Sequence, residues 1–178
     1  MLKSQYMANQ PKAGEMLVGA YLKLVEECEI VAYGQHSPIE GEQMEVDVIG
    51  IHPGGKREII VCEVATHLRG LGYGSSRENG EKVESKFRNA ESYVSQVFGS
   101  SESQRYQFWS PNVPPKSMEE LEKASDQFEK QSGCELELVT NRRYSKKINN
   151  LRKVASSTYS QRNELAFRFL QILEHLKE

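Results

Sequence analysis

Two acidic residues each stand inside an apolar, strand-like run. Asp47 lies in Glu45-Val46-Asp47-Val48-Ile49-Gly50-Ile51, and Glu63 lies in Ile59-Ile60-Val61-Cys62-Glu63-Val64-Ala65. A charged group in the middle of an apolar strand costs folding free energy unless something nearby compensates it. Two such groups on neighbouring strands repel each other, and a divalent cation between them is the simplest compensation. The pair therefore points to a metal site and to metal-assisted chemistry.

The surrounding elements must position these acids. Periodicity predicts a helix from Gly14 to about Cys28, with Leu17, Tyr21, Leu24, Val25 and Cys28 recurring at helical spacing. Glu15 falls in its first turn, where the helix dipole favours an acid, and shares a face with Val18 and Leu22. Three strands follow: Glu29 to Gln35, Glu45 to Ile51 and Arg57 to Thr66. The turn His52-Pro53-Gly54-Gly55 makes the last two an antiparallel hairpin. Asp47 lines up with Ile49 and Ile51, and Glu63 with Val61 and Ala65, while the opposite faces are also apolar. Strands of this kind lie in a sheet covered on both sides.

A Gly-rich stretch from Gly70 to Ser76 lacks the ending and spacing of a phosphate-cradling loop and reads as a mobile connection beside the site. A helix from about Asn79 to Phe98 follows. Val83, Phe87, Ala90, Val94 and Val97 form its core face, and Lys82, Lys86, Asn89 and Tyr93 adjoin it. Residues 105–110 form a strand. A capping box at Ser117 and Glu120 opens a helix to about Gln131, which Gly133 closes. A strand from Glu135 to Thr140, a basic helix over 142–155 and an amphipathic helix over 160–177 complete the order α-β-β-β-α-β-α-β-α-α.

Bulk properties bound the class. The chain has 178 residues, 38% hydrophobic and 27% charged, with a formal net charge of -2. This suits one globular domain over 13–178 after a flexible segment 1–12, and argues against a protein coated in basic charge. Cys28, Cys62 and Cys134 lack zinc-ligand spacing and read as free thiols in a reducing compartment. No apolar run is long enough to span a membrane and the first residues lack a signal-peptide core, so a cytoplasmic location is expected.

The element order, with Glu15, Asp47 and Glu63 in these places, resembles the PD-(D/E)XK nuclease superfamily over about residues 14–140, with 142–177 as a helical extension. The resemblance implies an α/β, restriction-endonuclease-like fold: a central mixed sheet flanked by helices. It implies Mg2+ or Mn2+ held by Asp47, Glu63 and the backbone carbonyl of Val64, with Glu15 completing or orienting the site. It implies hydrolysis of phosphodiester bonds, in DNA ahead of RNA. The motif departs from the family at Ala65, where Glu-X-Lys has its lysine, and at Val46, where the family has proline. Some members carry the lysine on the following helix, and Lys86 and Lys82 are placed for this, with Lys86 more central. Thr66 and His67 are further substitutes.

Other readings stand beside this one. Ala65 favours a catalytically inactive member serving as a nucleic-acid-binding or protein-interaction module. A third reading is an unrelated α/β domain whose strand acids are paired structurally. The basic run 142–153, with Arg69, Arg77 and Arg88, is either a solvated face or the wall of a DNA-binding groove. The apolar side of the last helix suits core packing or a homodimer seam.

Overall fold

The computed structural model describes residues 10–36, 44–52, 58–68, 70–72, 74–99, 103–160 and 164–177. The expected segment 1–12 up to residue 9, the turn after His52, Arg69, Tyr73 and the start of the last helix at 161–163 lie outside the described residues.

Helix α1 (Ala13–Leu24) is followed by strands β1 (Ile30–His36), β2 (Glu45–His52) and β3 (Glu58–Val64), then α2 (Ser76–Phe98), β4 (Ser103–Ser110), α3 (Pro115–Ser132), β5 (Leu136–Thr140), α4 (Asn141–Ser157) and α5 (Leu165–His175). The strands form one mixed sheet in the order β1-β2-β3-β4-β5. The β1–β2 and β2–β3 pairs are antiparallel, whereas β3–β4 and β4–β5 are parallel. The chain is thus an α/β fold with helices on both faces of the sheet. The expected hairpin is present as the β2–β3 pair, and the order of elements is the one periodicity predicts. Among the described residues no helix is long and apolar enough to cross a membrane.

Alternation along the strands divides the core. On one face Val61, Tyr106, Phe108 and Leu138 pack under α2 and α3, through Phe87, Val94, Leu121 and Phe128. On the other face Val48, Ile60, Cys62, Trp109 and Val139 pack under α1, α4 and α5, through Leu22, Leu151 and Phe167. The first face centres on three rings: Tyr106 sits 5.0 Å from Phe128 and 6.0 Å from Phe87, which are 5.9 Å apart. Such tilted and edge-on pairs stabilise beyond their buried area.

Close approach of the layers depends on glycine. A Cβ at Gly14 would meet the side chain of Thr66 at 2.3 Å, so the first turn of α1 closes directly onto the end of β3. A Cβ at Gly80 would meet the carbonyl of Glu120 at 2.9 Å, which brings α2 against α3.

Several helix ends differ from expectation. Helix α1 stops at Leu24, and Cys28 instead tucks beneath Gly50 after Glu27 adopts φ 59°. Helix α2 opens three residues early because Ser75 accepts from the Glu78 amide while the Glu78 carboxylate accepts from the Ser75 amide. The Ser117–Glu120 box is absent. Helix α3 starts at Pro115, whose fixed φ suits a first turn, and Ser117 inside it bonds to Ser76 and Asn79 of α2. Gly133, at φ 70°, closes α3 as expected. Tyr93 joins the core and not the lysine-bearing face of α2. Leu71 is buried in the same core, so the expected mobile connection is anchored near its start.

Truncating the aromatic cluster tests this packing. Phe128→Ala should lower unfolding free energy by about 3–5 kcal/mol. Urea denaturation should show a lower midpoint at unchanged slope, since the lost contacts do not alter the surface exposed on unfolding.

Candidate active site

The β2–β3 ladder brings the two acids together. Val48 pairs with Cys62, and one further step along this register sets Asp47 opposite Glu63. The backbone ladder does not continue there. Instead the Val64 amide donates to Asp47 Oδ2 at 2.7 Å. A side chain has replaced a main-chain acceptor, so Asp47 is fixed by the strand it faces.

Both acids are buried, at 4% exposure for Asp47 and 1% for Glu63. Burial pushes the Glu63 carboxyl up to about 8, the neighbouring Asp47 charge adds to this, and Lys86 opposes it. Burial also raises Asp47, against the pull of Lys86 and the Val64 amide and with a further push from Glu15.

Lys86 reaches this pair from α2. Its ammonium donates a hydrogen bond to Glu63 Oε2. The following residue, Phe87, is wholly buried in the aromatic cluster and pins this turn of α2 to the sheet. Ala65, on the same sheet face as Glu63, is 2% exposed and belongs to that core. An ammonium therefore reaches Glu63 from the facing helix and not from its own strand.

Lys82 lies one turn before Lys86. With Met44, Glu45, Ser85 and Asn89 the two lysines line a cleft of about 310 Å³ beside the acids. Glu45, Ser85 and Met44 were not singled out in the sequence. Glu45 was recoverable, because it stands two residues before Asp47 and shares its face of β2.

Glu15 is buried on α1, and its charge is felt at Asp47. Its own bonds are local: the Lys12 amide donates to Oε2 at 2.9 Å and the Lys12 ammonium lies 3.0 Å from Oε1. Lys12 was overlooked although it stands three residues before Glu15. Among the described residues no three His, Cys, Asp or Glu side chains gather where one ion would touch them all. Glu15 thus stands beside the pair and does not join it as a third ligand. Thr66 lies over Gly14 and His67 is exposed beside Gly72, and neither has a hydrogen bond to Asp47 or Glu63 among the described residues.

The donor set fits a hard cation. Val64 takes one oxygen of Asp47 and Lys86 takes one of Glu63, so each carboxylate has a second oxygen that these bonds do not use. Glu63 Oε1 is buried with no hydrogen-bond partner. A buried acceptor of this kind costs free energy until something positive binds it. Asp47, Glu63 and the Val64 carbonyl are the groups that would hold Mg2+ or Mn2+.

The shifted carboxyl makes stability depend on pH with a definite sign. Glu63 keeps its proton in the folded, cation-free protein up to about pH 8, whereas the unfolded chain releases it near the ordinary value of 4.5. Its contribution is complete below pH 4.5 and is lost as pH rises towards 8. Unfolding free energy measured in EDTA should therefore fall by up to about 1.4 kcal/mol per pH unit through this window. Glu63→Gln should flatten that slope; an unchanged slope in the variant would contradict the assignment.

Compared with protein-family models, with curated proteins and with solved structures, the chain matches none.

Proposed function

We propose that the chain is a metal-dependent nuclease of the PD-(D/E)XK type, hydrolysing phosphodiester bonds in nucleic acid, with DNA favoured by the family. The observation that carries this reading is the Lys86 ammonium on Glu63, beside Asp47. Ala65 removes the lysine that the motif expects, and a lysine from the neighbouring helix stands at the same carboxylate. A merely structural pair would not explain why a second carboxylate is buried beside the first at a cost to folding.

The residues divide the work. Asp47, held by the Val64 amide, and Glu63 present oxygens for Mg2+ or Mn2+ together with the Val64 carbonyl. When bound, that ion supplies a Lewis acid for the phosphoryl oxygen and makes water acidic enough to attack near neutral pH. Lys86 adds a fixed positive charge where the pentavalent phosphorane is negative. Lys82 extends this positive wall along the cleft. Glu15 acts on the charge of Asp47 and is a positioning group.

Helix α4 supports a polyanionic substrate. It contains Arg142, Arg143, Lys146, Lys147, Arg152 and Lys153 and no acid. Lys147 and Arg152 are engaged by Glu137 and Glu174, while Arg142, Arg143, Lys146 and Lys153 have no acidic partner among the described residues. Because β3, β4 and β5 are parallel, α4 begins at the sheet edge where Glu63 ends its strand. Ligands of such sheets bind at this edge. Arg77 and Arg88 are instead paired with Glu81 and Glu84 on their own helix, so they add little to a groove. The second reading, an inactive module of the same fold, rests on Ala65 and on this basic helix.

Plasmid nicking with Mg2+ or Mn2+ tests the activity. Asp47→Ala and Glu63→Ala should abolish it, and Lys86→Ala should lower the rate by about 10²–10³-fold, with a smaller loss for Lys82→Ala. Equal cleavage by wild type and all variants would sink the proposal. Calorimetric titration separates the rival: an inactive module binds no Mn2+, with or without DNA. Replacing Arg142 or Lys146 by Ala should weaken DNA binding alike across sequences and reduce the slope of log affinity against log salt by about 1 each.

A further inference from the structure

Helix α5 has two different faces. Phe167 and Gln171 turn inward and are fully buried, and the Gln171 amide donates to the carbonyls of Thr158 and Ser160. The outward face carries Leu165, Phe169, Ile172 and Leu173, with Leu176 just past the helix end, exposed by 58, 59, 44, 58 and 72%. These fractions leave roughly 600 Å² of apolar side chain in water, at the top of the range for a monomer's largest patch and near the ~800 Å² that one partner contributes to a standard interface. The patch calls for a partner.

The spacing identifies the partner. Leu165, Phe169, Ile172 and Leu176 are separated by four, three and four residues, which is the apolar seam of a two-stranded coiled coil. This pattern reads the same from either end. A second α5 laid antiparallel about a two-fold axis sets Leu165 against Leu176 and Phe169 against Ile172, with Leu173 covering Ala166. We propose that the exposed face of α5 is a self-complementary docking surface and that the chain forms a two-fold homodimer through an antiparallel α5 pair. A two-fold interface uses the same patch on both subunits, which this palindromic seam satisfies.

Sedimentation equilibrium of the full chain should give a dimer. Phe169→Glu should raise its dissociation constant by at least about 100-fold, because the substitution enters the interface twice and buries a charge each time. Helical circular dichroism should be unchanged, since Phe169 makes no core contact. The orientation has its own readout in a Cys134→Ser background. Leu165→Cys mixed with Leu176→Cys should give disulfide-linked dimers under mild oxidation, and neither variant alone should do so. A chain that is monomeric at all concentrations, a dimer indifferent to Phe169→Glu, or efficient cross-linking by either variant alone would overturn the proposal. So would a monomer that co-sediments with phosphatidylglycerol vesicles, which would assign this face to a lipid surface.

Discussion

Two carboxylates buried side by side on adjacent strands, one of them bonded to the Lys86 ammonium, are the constraint around which this molecule is arranged. Neither acid is placed where folding alone would put it. Burial and mutual repulsion both work against the charged forms, and the protein answers with one backbone amide, from Val64, and one ammonium, from Lys86. One buried oxygen of Glu63 stays unbonded even so. Local destabilisation of this kind is the physical mark by which a candidate site stands out from the rest of a sheet.

The rest of the structure holds that arrangement in place. The aromatic cluster of Phe87, Tyr106 and Phe128 fixes α2 over the sheet, and so sets the height from which Lys86 descends. On the opposite face a polar network spans β3, β4, β5 and the end of α1. Arg105 bridges Glu26 and Glu58, Lys147 reaches Glu26 and Glu137, and the buried Gln107 side chain joins Glu137 to the Trp109 indole. Each member has a partner of opposite character on a neighbouring element, so the network helps to define strand register. Gly14 lets α1 press its first turn against Thr66, which brings Glu15 near Asp47.

Most of the architecture could be read from periodicity. Apolar runs mark the strands and 3.6-residue spacing marks α1, α2 and α5, because each element buries a face written in residue type, while α3 is marked by Gly133 at its end and α4 by its basic run. Boundaries were less legible where a side chain competes with the backbone. The Ser75–Glu78 box was visible as Ser-x-x-Glu but lay inside a Gly-rich stretch that read as loop, whereas Ser117 and Glu120 have the same spacing and are used differently because Pro115 already opens the helix. At the site, Asp47 and Glu63 were legible because charge inside an apolar strand is rare. That Lys86 and not Lys82 would meet Glu63 followed from its place beside a core phenylalanine. Lys12 as the partner of Glu15 and Glu45 as a wall of the cleft carry only a faint mark in sequence, the i,i+3 spacing of one and the shared strand face of the other, which many surface residues also have.

The origin of the ammonium on a helix, and of the acids on strands, has a consequence for motion. A lysine two residues after Glu63 would share the fate of the strand and its ladder of hydrogen bonds. Lys86 shares the fate of α2, which meets the sheet through side chains alone. The charge pair therefore exists only while α2 is seated, and an opening of that helix that left the sheet intact would separate cation from acids. Amide exchange along α2 and the state of the Glu63 carboxylate become two views of one equilibrium, with a free energy bounded by the docking of a single helix and not by the stability of the whole fold.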